Sequence, residues 1–170
     1  MKNIARVVIA ALLVTSIAAC AKKKVKPEAP PPEATTTTQT QSVDTTGRYT
    51  RDSLDTDSCL RQRVVYFDLD QTVIKPEFQA QISCHAAYLR QFPDARVRLE
   101  GNTDERGSRE YNLGLGERRG NAVQSALSAA GSSSSQLNVV SYGEERPVCR
   151  QHDESCWSKN RRVEIIYTAK

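Results

Sequence analysis

The sequence predicts an α/β domain with the element order β-α-β-α-β-β. Strands alternate with helices along the chain, and that alternation defines the class. Arg96, Val97, Arg98 and Leu99 alternate polar and apolar residues, the period of a half-buried strand. Gly101 to Gly107 then supplies turn chemistry, and Ser108 is a good N-cap for the helix of about five turns that follows.

Not all of the 170 residues belong to that domain. Residues 1–19 carry Lys2 and Arg6, then the apolar run Val7 to Val14, then small residues, the pattern of a secretory signal. The run is too short to span a bilayer as a stable helix. Ile17-Ala18-Ala19-Cys20 resembles the bacterial lipobox, which implies cleavage before Cys20 and acylation of that residue. An ordinary signal followed by a chance cysteine is the alternative. More than one acyl chain would make the anchor stable, where a single chain is marginal.

Residues 20–58 form the lipidated end and a tether. Lys22, Lys23, Lys24 and Lys26 precede a Pro-, Glu- and Thr-rich stretch that cannot bury enough apolar surface to offset its ordering entropy. Pro30, Pro31 and Pro32 stiffen it locally. Fully extended, such a tether reaches on the order of 120 Å. Beside an acylated cysteine, the lysine run suits anionic headgroups better than nucleic acid.

Residues 59–170 are the expected domain. Val64 to Phe67 reads as a short buried strand ending in Asp68-Leu69-Asp70. Pro76 to Gln91 reads as a helix, with Pro76 in its first turn, Pro93 beyond its end, and Ile82, Ala86 and Leu89 at helical spacing. Gly131 stops the long helix, and Ser132 to Ser135 form a loop. Leu137 to Tyr142 and Arg161 to Tyr167 are the third and fourth strands. From Cys59 onward 16 basic residues stand against 14 acidic ones, which is not the concentrated basic face of a nucleic-acid binder.

One residue departs from this pattern. With Leu115 at zero on a helical wheel, Leu115, Ala122, Val123, Ala126 and Ala130 make an apolar stripe. Arg119 falls at about 40°, inside the stripe, and Asn112 at about 60°, while Arg118 falls to one side. A core-facing arginine is costly unless a carboxylate or an anionic ligand meets it. Asp104, in the loop at the helix's N-terminal end, offers two readings. It could form an internal salt bridge with Arg119, or the two charges could grip a zwitterion, Asp104 taking an ammonium and Arg119 a carboxylate. Gly116 and Gly120, one turn apart on the adjacent edge, would let another backbone come close.

The run T-D-E-R-G-x-x-x-Y-N-x-x-L-G-E-R-R resembles the family of the outer-membrane protein A C-terminal domain, and most closely its lipoprotein subfamily in the Tol-Pal system. The resemblance extends from V-V-Y-F-D-L-D to N-R-R-V-E-I-I-Y, about two-thirds of the chain. It implies a mixed four-stranded sheet with helices packed on one face. It also implies a non-catalytic protein that binds the diaminopimelate side chain of the peptidoglycan stem peptide, with no cofactor and no metal. The family's key aspartate and arginine fall on Asp104 and Arg119. Thr103, Arg106, Gly107 and Asn112 would shape the pocket, Asp68, Leu69 and Asp70 would supply its other wall, and Arg162 is a further candidate. Lipid anchorage in the outer membrane, with the domain facing the periplasm, is implied as well; Ala21 stands where a retention aspartate would favour the inner membrane. So are docking to the Tol system's periplasmic propeller protein and a role at the division site. Asn102 replaces the subfamily's usual histidine, and Gly120 its usual alanine.

Beyond Cys20, four cysteines remain: Cys59, Cys84, Cys149 and Cys156. In an oxidising compartment they are expected to pair, and three connectivities exist. Cys149–Cys156, stapling the loop before the last strand, is favoured, which leaves Cys59–Cys84. A zinc reading of Cys149, His152 and Cys156 supplies only three ligands. For an enzyme, Asp68 with Asp104 is the one carboxylate pair to weigh, as in a glycosidase. A structural lipoprotein without wall affinity is the remaining alternative.

Overall fold

The computed structural model describes residues 48–170. Cys20, the signal and most of the tether lie outside the described residues.

The strands are β1 (Val64–Tyr66), β2 (Arg96–Asn102), β3 (Leu137–Gly143) and β4 (Arg162–Ala169). The helices are α1 (Ser53–Thr56), α2 (Gln79–Gln91), α3 (Arg109–Ala129) and α4 (Glu154–Asn160). The sheet order is β1-β4-β2-β3. β2 and β3 run parallel, joined through α3, whereas β4 is antiparallel to both β1 and β2. This is the predicted mixed four-stranded sheet. Two short helices, α1 and α4, are additions to the predicted order. α4 buries only Cys156 among its apolar residues, so it leaves no periodic stripe to read.

Val97 and Leu99 of β2 and Val163 and Ile165 of β4 share one core with Ile82, Ala86 and Leu89 of α2 and Val123 and Leu127 of α3. Alternation therefore sends one side of each strand under the helices. Pro76–Phe78 forms a 3₁₀ turn that leads into α2. The Ser108 side chain accepts from Tyr111 N at 3.2 Å, which is the predicted N-cap of α3.

The buried side of α3 is rotated from the expected stripe: Gly116, Gly120, Val123 and Leu127 are buried, while Ala122 and Ala126 are only half-buried. Backbone contact sets that rotation. A Cβ on Gly101 of β2 would lie 1.9 Å from the Gly116 carbonyl oxygen. One on Gly120 would lie 2.5 Å from Val139 Cγ1 of β3. Helix and sheet meet along their glycines.

The domain starts earlier than residue 59. Tyr49 and Leu54 are 4% and 0% exposed and belong to the core. They are isolated apolar residues in a polar stretch, so neither helical nor strand periodicity marks them.

Both disulfides pair as favoured, Cys59–Cys84 with Cα atoms 6.3 Å apart and Cys149–Cys156 with Cα atoms 5.1 Å apart. Free-thiol titration of the unfolded, unreduced domain should find essentially none. In the chain-entropy picture each crosslink contributes about 2–4 kcal/mol.

His85 is wholly buried, with Nδ1 2.9 Å from the Tyr167 hydroxyl and Nε2 2.9 Å from the Gln62 carbonyl. The carbonyl requires a proton on Nε2, so neutral His85 accepts from Tyr167 on Nδ1. Burial, with Arg63 adding to it against the Gln62 bond and Asp57, lowers its pKa to about 4. The unfolded chain, with an ordinary imidazole, therefore takes up the proton first as pH falls. Stability from this group is complete above about pH 6.5 and is lost on acidification toward pH 4, of order 3 kcal/mol in all. Melting temperature should fall between pH 7 and 4.5, and His85→Gln should flatten that part of the profile.

Candidate functional site

Arg119 is 0% exposed and sits at a cavity of about 370 Å³ between the β1–α2 loop and the start of α3. Its Nε donates to Gln71 O at 2.9 Å, Nη1 to Asn102 O at 3.1 Å and Nη2 to Asp68 O at 2.9 Å. The Phe67 ring lies 5.3 Å from its Cζ. Burial and the Arg161 charge lower its pKa to about 10, so it remains a cation at neutral pH.

The internal Asp104–Arg119 salt bridge does not form. Asp104 instead accepts from four donors: Arg106 N at 3.1 Å and Nε at 3.2 Å on one oxygen, Arg106 Nη2 at 2.7 Å and Arg161 Nη1 at 3.1 Å on the other. Burial alone would raise the carboxyl's pKa; the Arg106 and Arg161 donors outweigh it and hold the group below the usual range. Three cations and one carboxylate thus meet here, and among the described residues Arg119 alone of the three has no ion-pair partner.

The other expected residues divide. Leu69, Asp70, Thr103, Arg106, Gly107 and Asn112 all line the cavity. Thr103 Oγ1 is buried there without a partner. Gly107 has φ +109°, which a side chain would strain. Asn112 Nδ2 donates to Arg106 O at 3.2 Å and also to Glu144, bracing the loop. Asp70, at φ +57°, accepts from the Tyr111 hydroxyl across the cavity mouth.

Two placements differ from expectation. Asp68 does not present its carboxylate to the cavity: that group pairs with Lys75 at 2.7 Å and is 64% exposed, and Asp68 serves the site through its carbonyl. Asp68 thus turns its carboxylate to Lys75 and Asp104 its own to Arg106 and Arg161, which is not the arrangement of a glycosidase-type pair. Arg162 faces the opposite side of the sheet, where it pairs with Glu164 at 2.6 Å. Arg161 takes its place, with Nε donating to Phe67 O at 3.1 Å and Nη2 to Glu154. Counting back by twos from buried Val163 puts Arg161, not Arg162, on the helix-covered side, so a signal for it existed.

Tyr111 and Leu115 also line the cavity without having been expected there. They lie four residues apart on one side of α3, and Tyr111 is within the family's Y-N motif. Trp157 borders the site, its ring 4.1 Å beneath the Arg106 guanidinium and its indole N–H donating to Glu105 at 2.8 Å. His152 also meets Glu105, at 2.6 Å, so the zinc reading has lost its cysteines to a disulfide and its histidine to a carboxylate.

A model of the OmpA family matches residues 66–161. The peptidoglycan-associated lipoprotein of Pasteurella multocida is 48% identical over 107 residues, covering 63% of this chain and 71% of that protein. That of Pseudomonas putida is 51% identical over 114 residues, covering 66% and 68%. The crystal structure of the peptidoglycan-associated lipoprotein from Burkholderia pseudomallei superposes with a TM-score of 0.66 at 44% identity, over 68% of this chain and 98% of that one. The C-terminal domain of Helicobacter pylori MotB shares the fold, with a TM-score of 0.58 at 23% identity over 63% of this chain and 84% of that one. The chain belongs to the OmpA family, in the branch of the peptidoglycan-associated lipoproteins.

Proposed function

We propose that the domain binds the diaminopimelate end of the peptidoglycan stem peptide non-covalently. The observation that carries this is Arg119, a buried cation with three backbone carbonyls and no carboxylate for partners, at the floor of a cavity. Three of its five N–H groups are spent on carbonyls, and a carboxylate entering above it would supply the missing charge. The amino group at the same end of the ligand lies toward Asp104 and Asp70. Asp104 is already held by Arg106 and Arg161, so Asp70, bound to the Tyr111 hydroxyl, shares the ammonium with it. Thr103 Oγ1 is a further partner for the ligand.

In this reading the chain is acylated at Cys20, held in the outer membrane, and tethers that membrane to the wall. The identity to peptidoglycan-associated lipoproteins and the A-A-C run after the apolar segment support it. By the same resemblance it docks the Tol system's periplasmic propeller protein and helps hold the outer membrane at the division site. Replacing Cys20 by Ser should release the protein from the membrane fraction at high salt without unfolding the domain.

Selectivity follows from the buried charge. Lysine lacks the distal carboxylate, so a lysine-type stem leaves Arg119 without its anion, at about 2–5 kcal/mol. Pull-downs with diaminopimelate-type and lysine-type peptidoglycan should show a strong preference for the former. Arg119→Ala should abolish wall binding, and Arg119→Lys should blunt the preference. Arg118→Ala, exposed and off the buried side, should bind nearly normally. Asp104→Asn should weaken binding through the ammonium. Arg119→Ala also strands three buried carbonyls, so melting temperature is measured alongside; lower stability with intact binding and selectivity in the folded fraction would overturn the proposal.

A further inference from the structure

Arg161 lines two hollows. One is the ligand cavity; the other is a cleft of about 240 Å³ whose lining includes the apolar rings of Tyr66 and Phe67. Lys75, from the segment before α2, and Lys159, from α4, stand in that cleft with Asp68. Lys75 Nζ is 2.7 Å from the Asp68 carboxylate. Arg161 is tied to Asp104 and Glu154, so Lys159 is the cation through which the cleft faces solvent. A cleft on another side of the cavity, which shares Thr103 with it, has the contrary balance, Glu105 and Glu144 against Arg150.

The stem peptide has a chemical feature that fits this asymmetry. When the free end of diaminopimelate fills the cavity, its peptide-bonded end must leave through the mouth. Each flanking residue can carry a carboxylate: the preceding glutamate, linked through its side chain, keeps its α-carboxylate, and the chain terminus carries another. The cleft and the cavity share Arg161 as a wall, and each residue of extended chain spans about 3.5 Å.

We propose that the Lys75–Lys159 cleft receives a second carboxylate of the stem peptide, borne on a residue bonded to the diaminopimelate. The proposal rests on the diaminopimelate reading of the cavity and adds a second point of recognition to it. Amidation of that carboxylate then weakens binding without touching the buried site. Exposed charge pairs of this kind change affinity by about two- to fivefold each at moderate salt.

Calorimetric titration of the full domain with soluble muramyl tripeptides tests it. One ligand carries the glutamate α-carboxylate and a second the α-carboxamide; a third and fourth are tetrapeptides with a free or amidated C-terminus. Wild type should prefer a carboxylate over its amide by about two- to fivefold in one of these pairs, which also identifies its source. Lys159→Gln should erase that preference while leaving affinity for the amidated ligand unchanged, with Lys75→Gln in the same direction. Arg150→Gln, in the opposite cleft, should keep it. Equal wild-type affinity within both pairs overturns the proposal, as does a Lys159→Gln loss that is the same for carboxylate and amide. Failure of wild type to bind any of the four overturns the diaminopimelate reading, and this proposal with it.

Discussion

Three backbone carbonyls hold the Arg119 guanidinium where no carboxylate reaches it, and the rest of the site is built outward from that arrangement. Burying a cation costs several kcal/mol, and dipoles of neutral carbonyls offset part of that without cancelling the charge. Each carbonyl comes from an irregular piece of chain. Asp68 and Gln71 flank Asp70, whose left-handed φ turns the loop over the guanidinium. Asn102 ends β2 where the pairing with β3 slips between Gly101 and Asn102, and such a slip redirects a carbonyl out of the ladder. The two charges are thus treated differently: Asp104 is held by Arg106 and Arg161, whereas Arg119 is held by neutral carbonyls alone.

That arrangement needs α3 very close to the sheet. Gly101 and Gly116 meet backbone to backbone, and Ser141 Oγ, which donates to Leu113 O at 2.6 Å, fastens β3 to the same turn of α3. Any side chain at Gly101 or Gly116 would lift the helix and lengthen the bonds from Arg119 to loop and strand. The packing of α3 on the sheet and the placement of Arg119 therefore share one set of contacts. The Cys149–Cys156 crosslink adds a brace on the other side, where Asn160 bonds Val148 N, Cys149 N and Cys149 O next to Arg161.

Much of this was legible because periodicity is a statement about faces. Arg119 could be recognised as buried from spacing alone, and Ser108, Gly116 and Gly120 from their places around the same helix. What periodicity does not encode is which partner a buried charge will choose. Asp104 lay within reach of three arginines, and only the folded loop decides between them. Arg161 and Arg162 are chemically identical neighbours, separated by the pleat of β4. Tyr49 and Leu54 were hidden because a single apolar residue in a polar stretch has no period at all, although each is fully part of the core.

The Cys59–Cys84 bond decides how the domain bears tension. From Arg48 the chain runs through α1 to β1, an edge strand of three residues. Without a crosslink, a pull on the entering chain would peel β1 from β4 one bond at a time and then drag on the loop whose carbonyls hold Arg119. The disulfide intercepts that load before β1 and transfers it to α2, whose buried side is locked into the core. Disturbing the Arg119 contacts then requires shearing a packed helix instead of unzipping a short strand. A load arriving ahead of β1 therefore meets a crosslinked, packed helix before it meets a short edge strand.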